Sequence, residues 1–279
     1  MDARPADIVA SMVDASVKKL ALSPRDLLIR GAISGALLGA ATGFSFSATV
    51  STGQQLAGAL VFPVGFAMIM LLGLELVTGN FALLPLAPLE GKSLWSAVVA
   101  NWYWVFLGNL LGAISFGGLL AITLTNMGAT APTAVAVRII TAAEIKTVAN
   151  EALGNAGMVS VFVKGILCNW LVCLGVVMAI RSSSTVGKVM AAWLPIATFV
   201  ALGFEHSVVN MFVIPTGILL GAKVSLLEWW IWNQIPVTLG NIVGGFTGLA
   251  LYVTYKPAEK TPIPALPVTA RALAEQRSH

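Results

Sequence analysis

Two short polar stretches interrupt otherwise apolar sequence, and they hold the side chains best suited to chemistry. The first is Glu75-Leu-Val-Thr78-Gly-Asn80; the second is Glu205-His206-Ser-Val-Val-Asn210. Glu75 and Glu205 are the acidic residues deep in apolar runs, where a charge costs about 2.5 kcal/mol or more unless it is paired or protonated. They could carry protons. A broken helix also needs acceptors for its free N–H groups, and that need favours a bracing role for Glu75 and Glu205 with Asn80 and Asn210. His206 is the one internal histidine, since the other stands at position 279. Its reference pKa of about 6.5 makes it the side chain here able to change protonation near neutral pH. It follows Glu205 directly and lies opposite Thr78 of the other stretch, which could hydrogen-bond its ring. A proton relay or anion-binding role for His206 therefore outweighs simple packing, and Glu205 joins that relay as its neighbour.

These residues are positioned by elements of a membrane protein. Of 279 residues, 57% are hydrophobic and 10% charged, with a mean hydropathy of +0.88. About 25% charged residues is usual for a soluble domain. Apolar runs are expected at about 29–50, 56–88 (interrupted at Glu75 to Asn80), 94–123, 159–180, 189–221 (interrupted at Gly203 to Ser207) and 229–255. Such lengths fit spanning helices. Residues 1 to 28 hold four Asp and no continuous apolar stretch, so they do not resemble a cleavable signal. Ile8, Val9, Met12, Val13, Ser16, Val17 and Leu20 recur there at helical spacing, which predicts an amphipathic helix on the cytoplasmic membrane surface, ending near Ser23-Pro24. Residues 256–279 carry Pro257, Pro262, Pro264 and Pro267 and are expected to form an extended cytoplasmic tail. With six crossings, twelve of the sixteen Lys and Arg fall on the side of both termini, and Arg138, Lys146, Lys164 and Lys223 on the other, so the termini are expected in the cytoplasm. Lys164, at the mouth of the fourth span, is expected to snorkel to the interface. Cys168 and Cys173 suit packing, and no nucleotide loop, metal cluster, cofactor motif or hydrolase triad is present.

The pattern Gly73-x-Glu75-x4-Asn80-x4-Pro85 returns 130 positions later as Gly203-x-Glu205-x4-Asn210-x4-Pro215. Gly108-Asn109 to Gly112 and Gly240-Asn241 to Gly244 follow each copy, and Arg30-Gly31 and Lys164-Gly165 precede them. Each half then holds three spans, and an odd number inserts the second copy upside down. Paired broken helices at mid-membrane depth must be buried in protein or line a cavity, because lipid offers no hydrogen-bond partner, and two breaks that meet near the midplane imply a substrate path between them. The half-helix N-termini, expected at Asn80 and Asn210, would favour an anion. An intramembrane enzyme is a weak reading.

The stretches Glu75 to Asn80, Gly108 to Gly112, Gly165-Ile-Leu-Cys-Asn-Trp-Leu-Val172, Gly203 to Phe212 and Ile235 to Gly245 together resemble the formate/nitrite transporter family, in family order along nearly the whole chain. The resemblance implies an aquaporin-like fold of six spans, a homopentamer in the inner (plasma) membrane, and one pore per protomer for a small monovalent anion. It makes Thr78 the loop threonine that pairs with His206, and Asn169 the pore asparagine. By motif position the two apolar constrictions fall on Phe62, Phe66, Leu76, Val172 and Phe199. Ala142-Ala-Glu-Ile-Lys146-Thr resembles the context of an anion-attracting lysine. An ungapped count back from Asn169 reaches Leu153 instead, with Glu151 beside it, which would make that neighbourhood acidic. The substrate implied is formate, moved with a proton or under pH control, with nitrite, hydrosulfide or acetate as alternatives. An aquaporin-type neutral-solute channel would be expected to carry Asn-Pro-Ala, which this chain lacks.

Overall fold

The element boundaries follow from capping chemistry and proline. The computed structural model describes residues 5–256. Helix α1 (Pro5–Leu20) is followed by α2 (Pro24–Thr52), where Ser23 accepts from the Asp26 N–H, Pro24 opens the first turn and Gly53 closes the last in the left-handed region. The chain continues through α3 (Gln55–Val61) and α4 (Pro63–Leu71), separated at Pro63, then α5 (Val77–Leu83) and α6 (Leu86–Leu89), separated at Pro85. Helix α7 (Trp95–Thr125) ends the first half. The second half contains α8 (Ala134–Lys146), the short α9 (Val148–Ala152), α10 (Asn155–Arg181), α11 (Thr185–Ala201) and α12 (Ser207–Leu220). Last come α13 (Leu226–Trp229), a π-helical turn over Trp230–Gln234, and α14 (Ile235–Tyr255).

Among the described residues, four helices are long and apolar enough to cross a membrane: Pro24–Thr52, Trp95–Thr125, Asn155–Arg181 and Leu226–Tyr255. The remaining apolar helices pair across a break, Gln55–Leu71 with Val77–Leu89 and Thr185–Ala201 with Ser207–Leu220. The stretch 126–157, polar in sequence, contains two helices, α8 and α9. Helix α2 begins five residues before the expected apolar run, because Ser23 and Pro24 set its start. Helix α1 keeps the predicted period, and its apolar stripe is buried in the protein: Val9, Met12, Val13 and Ser16 are covered, and the Ser16 hydroxyl donates to the Leu84 carbonyl at 3.0 Å. The proline-rich tail predicted after Lys256 lies outside the described residues.

Close helix crossings set the two halves. A Cβ on Gly108 of α7 would sit 3.0 Å from the Gly31 Cα of α2, and one on Gly240 of α14 would sit 3.1 Å from the Gly165 Cα of α10. In both cases two glycines face each other, and backbones meet without side chains between them. Gly112 lies directly on the Ala32 carbonyl. Large side chains fill the space that remains, led by Phe212, Met12, Leu38, Ile69, Met211 and Ile214. At the end of α14, the Tyr252 hydroxyl and the Lys256 ammonium both donate to Glu90, with the ion pair at 3.0 Å. The bonds from Tyr252 and Lys256 hold the Glu90 carboxyl below its ordinary pKa. That clasp is therefore in force above the unfolded carboxylate value and is lost as pH falls through the lowered one.

Gly112→Ala is expected to destabilise the protein by about 1 to 3 kcal/mol, read as a lower thermal midpoint in detergent, because the new methyl strikes backbone that cannot rotate away. Gly118 faces open space, so Gly118→Ala is expected to hold or raise the midpoint through helix propensity. Equal behaviour of the two variants would refute the packing argument.

Candidate functional site

Both breaks are made by the same device. Helix α4 ends with the Gly73 N–H bonded to Met70 O (3.3 Å) and the Leu74 N–H to Ile69 O (3.0 Å), and α11 ends with Gly203 to Val200 (3.1 Å) and Phe204 to Phe199 (3.0 Å). These are Schellman closures, and they need left-handed backbone at the glycine, where φ is 62° and 66°. An extended residue then follows each glutamate: Leu76 in the first copy and His206 in the second. The new helices begin at Val77 and Ser207, three residues before the asparagines expected to start them, so Asn80 and Asn210 lie inside the helices with their amides free for the carboxylates.

Those amides build two matching networks. Asn80 Nδ2 donates to Glu75 Oε2 (2.8 Å) and Asn101 Oδ1 (2.9 Å), while Asn101 Nδ2 donates to the Lys19 carbonyl (3.2 Å) and Lys19 Nζ pairs with Glu75 Oε1 at 2.8 Å. In the second copy Asn210 Nδ2 donates to Glu205 Oε2 (2.7 Å) and Asn233 Oδ1 (2.7 Å). Asn233 Nδ2 donates to the Lys146 carbonyl (3.0 Å), and Lys146 Nζ pairs with Glu205 Oε2 at 2.8 Å. Lys19 of α1 and Lys146 of α8 thus occupy equivalent places. Behind each network a second asparagine holds the extended strand. Asn109 accepts from the Val77 N–H (3.0 Å) and donates to the carbonyls of Gly31 and Glu75, while Asn241 accepts from Ser207 (2.9 Å) and donates to Gly165 (2.8 Å) and Glu205 (3.0 Å). Breaking a buried pair of this kind leaves an uncompensated charge and costs about 3 to 5 kcal/mol.

The predicted bracing residues Glu75, Asn80 and Asn210 are therefore all in one kind of network, and Glu205 sits in it as well. Lys146 ends α8 and pairs with Glu205, and the chain then turns at Thr147 and runs through α9 before α10 begins. Leu153 and Glu151 face outward on this turn.

Where the two copies differ, they differ at the centre. His206 Nε2 lies 3.1 Å from Thr78 Oγ1, and Asn169 Nδ2 donates to the Thr78 carbonyl at 3.1 Å. His206 Nδ1 accepts from the Val209 N–H at 3.3 Å, capping α12. With Nδ1 an acceptor, the ring proton is on Nε2 and points at Thr78 Oγ1, which frees the Thr78 hydroxyl proton to donate elsewhere. Phe199 stacks on the His206 ring (5.8 Å, 17°), and Phe62 meets Phe199 edge-on (5.8 Å, 78°). Asn169 Oδ1 and Ser207 Oγ are buried without a partner among the described residues.

Two cavities of about 360 Å³ each approach this centre. The first is walled by Lys18 and Lys19 of α1, Arg30 early in α2, Phe66, Leu76 and Gly79, and by Val176 and Ile180 late in α10. The second is walled by Thr42, Ser45 and Thr49 late in α2, Lys164 early in α10, Arg138 and Lys146 of α8, and Phe62, Phe199 and His206. Of the residues expected at constrictions, Phe66 and Leu76 line the first cavity, and Phe62 and Phe199 the second. Val172 is fully buried in α10, and Val176 one turn on lines the first wall. Lys164, expected at the interface, lines the second cavity.

Lys19, Arg138 and the paired asparagines Asn101 and Asn233 were not singled out by sequence reasoning. A signal for the last two is present: each stands eight residues before the Asn of a Gly-Asn pair, Asn101 before Asn109 and Asn233 before Asn241.

The sequence profile described as "Formate/nitrite transporter" matches residues 6–255 of this chain. A probable formate transporter of Methanothermobacter thermautotrophicus is 41% identical over 206 residues, covering 70% of this chain and 73% of its own. Among solved structures, one described as an FNT family ion channel aligns with a TM-score of 0.78 at 26% identity, covering 89% of this chain and 98% of that one. Another, a pentameric formate channel with formate bound, aligns at 0.68 and 28% identity, covering 84% and 98%.

Asn241→Leu keeps the volume but removes three hydrogen bonds at the second break. Each buried group left without a partner costs about 1 to 3 kcal/mol, so the thermal midpoint should fall well below that of the native protein, and Asn109→Leu should do the same through Val77. Midpoints unchanged in both variants would mean that the asparagines do not hold the breaks.

Proposed function

Because the chain belongs to the formate/nitrite transporter family, whose members are membrane channels and transporters, not enzymes, we propose that it carries formate across the inner (plasma) membrane as a small monovalent anion accompanied by a proton. The observation that carries this reading is the centre itself: a Thr78–His206 pair with Phe199 stacked on the His206 ring and Phe62 edge-on to Phe199, between two cation-lined cavities.

We further read the protein as six spans in two inverted repeats, with both termini cytoplasmic. Helix α2 starts at the first cavity and ends at the second, whereas α10 starts at the second and ends at the first, which supports the inversion. Residues 29–255 form the channel domain in this reading, and residues 1–28, which include α1, its cytoplasmic N-terminal segment. The pentameric formate channel among its structural relatives supports a homopentamer with one path per protomer.

The mechanism follows from solvation. A bare carboxylate leaving a wet vestibule for an aromatic ring pair loses water without gaining a counter-charge, and that costs several kcal/mol even after relaxation. Desolvation also raises the pKa of a carboxylic acid, so the anion takes a proton from vestibule water as it approaches the rings. The neutral acid then crosses, hydrogen-bonded by the Thr78 hydroxyl, whose oxygen is held by His206 Nε2–H, and it releases the proton in the other vestibule. Asn169 fixes the Thr78 backbone. Glu205 serves by holding the break that carries His206.

Formate uptake into proteoliposomes is expected to saturate and to rise as pH falls, with nitrite, acetate and hydrosulfide as competitors. His206→Phe should lower formate flux at every pH, while the rise toward low pH, set by protonation of the substrate, is retained. His206→Asn, which retains an α12 cap but removes the ring N–H that holds Thr78, separates loss of the cap from loss of that contact, and it should also lower the flux. Unchanged flux in both would reject the role of His206, and nitrite flux without formate flux would reject the substrate.

A further inference from the structure

Each vestibule holds more positive charge than its ion pair uses. The charged walls of the first are Lys18, Lys19, Arg30 and Glu75, and those of the second are Arg138, Lys146, Lys164 and Glu205. Each therefore has three cations and one carboxylate. Lys19 and Lys146 are the cations spent on the carboxylates, each at 2.8 Å. An anion binding to either would compete with a glutamate that is itself fixed by Asn80 or Asn210, and displacing the lysine would leave a buried carboxylate unpaired.

The surplus recurs at one repeat position. Arg30 and Lys164 each stand directly before the glycine at a helix crossing, Gly31 and Gly165, and each lines its own cavity. Arg30 Nη1 has only a neutral acceptor, the Gly73 carbonyl at 3.4 Å. Neither Lys164 nor Arg138 has a carboxylate within ion-pair distance among the described residues, and the Arg138 guanidinium lies 5.7 Å from the centre of the Phe46 ring, with its Nε buried and unbonded.

We propose that Arg30 and Lys164 are the anion-receiving residues of the two mouths, Arg138 assisting at the second, and that Lys19 and Lys146 are positioning residues for the broken-helix carboxylates. The assignment rests on the anion-transport reading above. An anion at Arg30 or Lys164 completes a charge pair without breaking one. The two mouths also differ in kind. The Arg30 guanidinium presents a planar fork that matches the two oxygens of a carboxylate or nitrite, whereas the Lys164 ammonium is a point charge. The first mouth therefore favours planar two-oxygen anions over hydrosulfide, and the second discriminates less.

The test is concentration-dependent formate flux in vesicles of fixed protein orientation, at low and high salt, with the thermal midpoint of every variant in detergent. Lys164→Gln should raise the apparent KM for flux starting at the second mouth, on the order of tenfold at low salt and less at high salt, with the maximal rate retained. Lys164→Arg should restore the native KM, and Arg30→Gln should act likewise from the first mouth. Lys146→Gln should instead lower the maximal rate and the thermal midpoint together. A raised KM in Lys146→Gln with an unchanged midpoint, beside native KM values in Lys164→Gln and Arg30→Gln, would overturn the assignment alone. Native vesicles that carry no small anion would overturn the transport reading and this assignment with it.

Discussion

A helix broken inside an apolar layer leaves backbone N–H and C=O groups that lipid cannot satisfy. The rest of this structure is organised around that constraint, met twice. At each break a glycine closes the outgoing helix, a glutamate carries the chain across, and an asparagine from a neighbouring long helix supplies a donor and an acceptor to the extended strand. Each glutamate is in turn an expensive buried charge, and it is held by a lysine and the amide of Asn80 or Asn210. The lysines come from outside the long helices, Lys19 from α1 and Lys146 from α8. This gives two peripheral helices a direct part in the centre: α1 and α8 each deliver the cation that makes a broken helix tolerable.

The close crossings serve the same end. Gly31 against Gly108 and Gly165 against Gly240 bring helix backbones near enough for Asn109 and Asn241 to reach carbonyls on both the partner helix and the break. A side chain at these glycines would push the asparagines out of range. Packing and polar satisfaction are therefore one arrangement, and neither works without the other.

Against this shared frame, function is concentrated in the difference between the copies. After Glu75 the chain places Leu76, a buried apolar residue that lines the first cavity. After Glu205 it places His206, which caps α12 with one ring nitrogen and turns the other to Thr78. A repeat that supplied two leucines would make a closed apolar barrier, and two histidines would leave a second polar ring where Leu76 now lines the first cavity. One of each gives a single polar contact among apolar residues, and on that contact the proposed passage of a weak acid in its neutral form rests.

Much of this was legible in the sequence because it is written in local order. Composition and run length fix the membrane environment, and the recurrence of Gly, Glu, Asn and Pro at identical spacings marks both breaks. Residue type alone singled out Glu75 as a candidate brace, and the Lys19 and Asn80 contacts place it in such a network. Residues distant in sequence were not legible in the same way. Nothing local ties Lys19 to Glu75, 56 positions on, or Lys146 to Glu205, 59 positions on, and the turn at Thr147 that follows Lys146 is a backbone event without a motif. The start of α5 at Val77, not Asn80, was likewise decided by Asn109 accepting its N–H from another helix. The sequence alone determined what kind of groups an apolar layer would have to accommodate, because burial cost depends on residue type. Only the tertiary structure decided which cations are spent on carboxylates and which are left to face a vestibule, because pairing depends on distance across the fold.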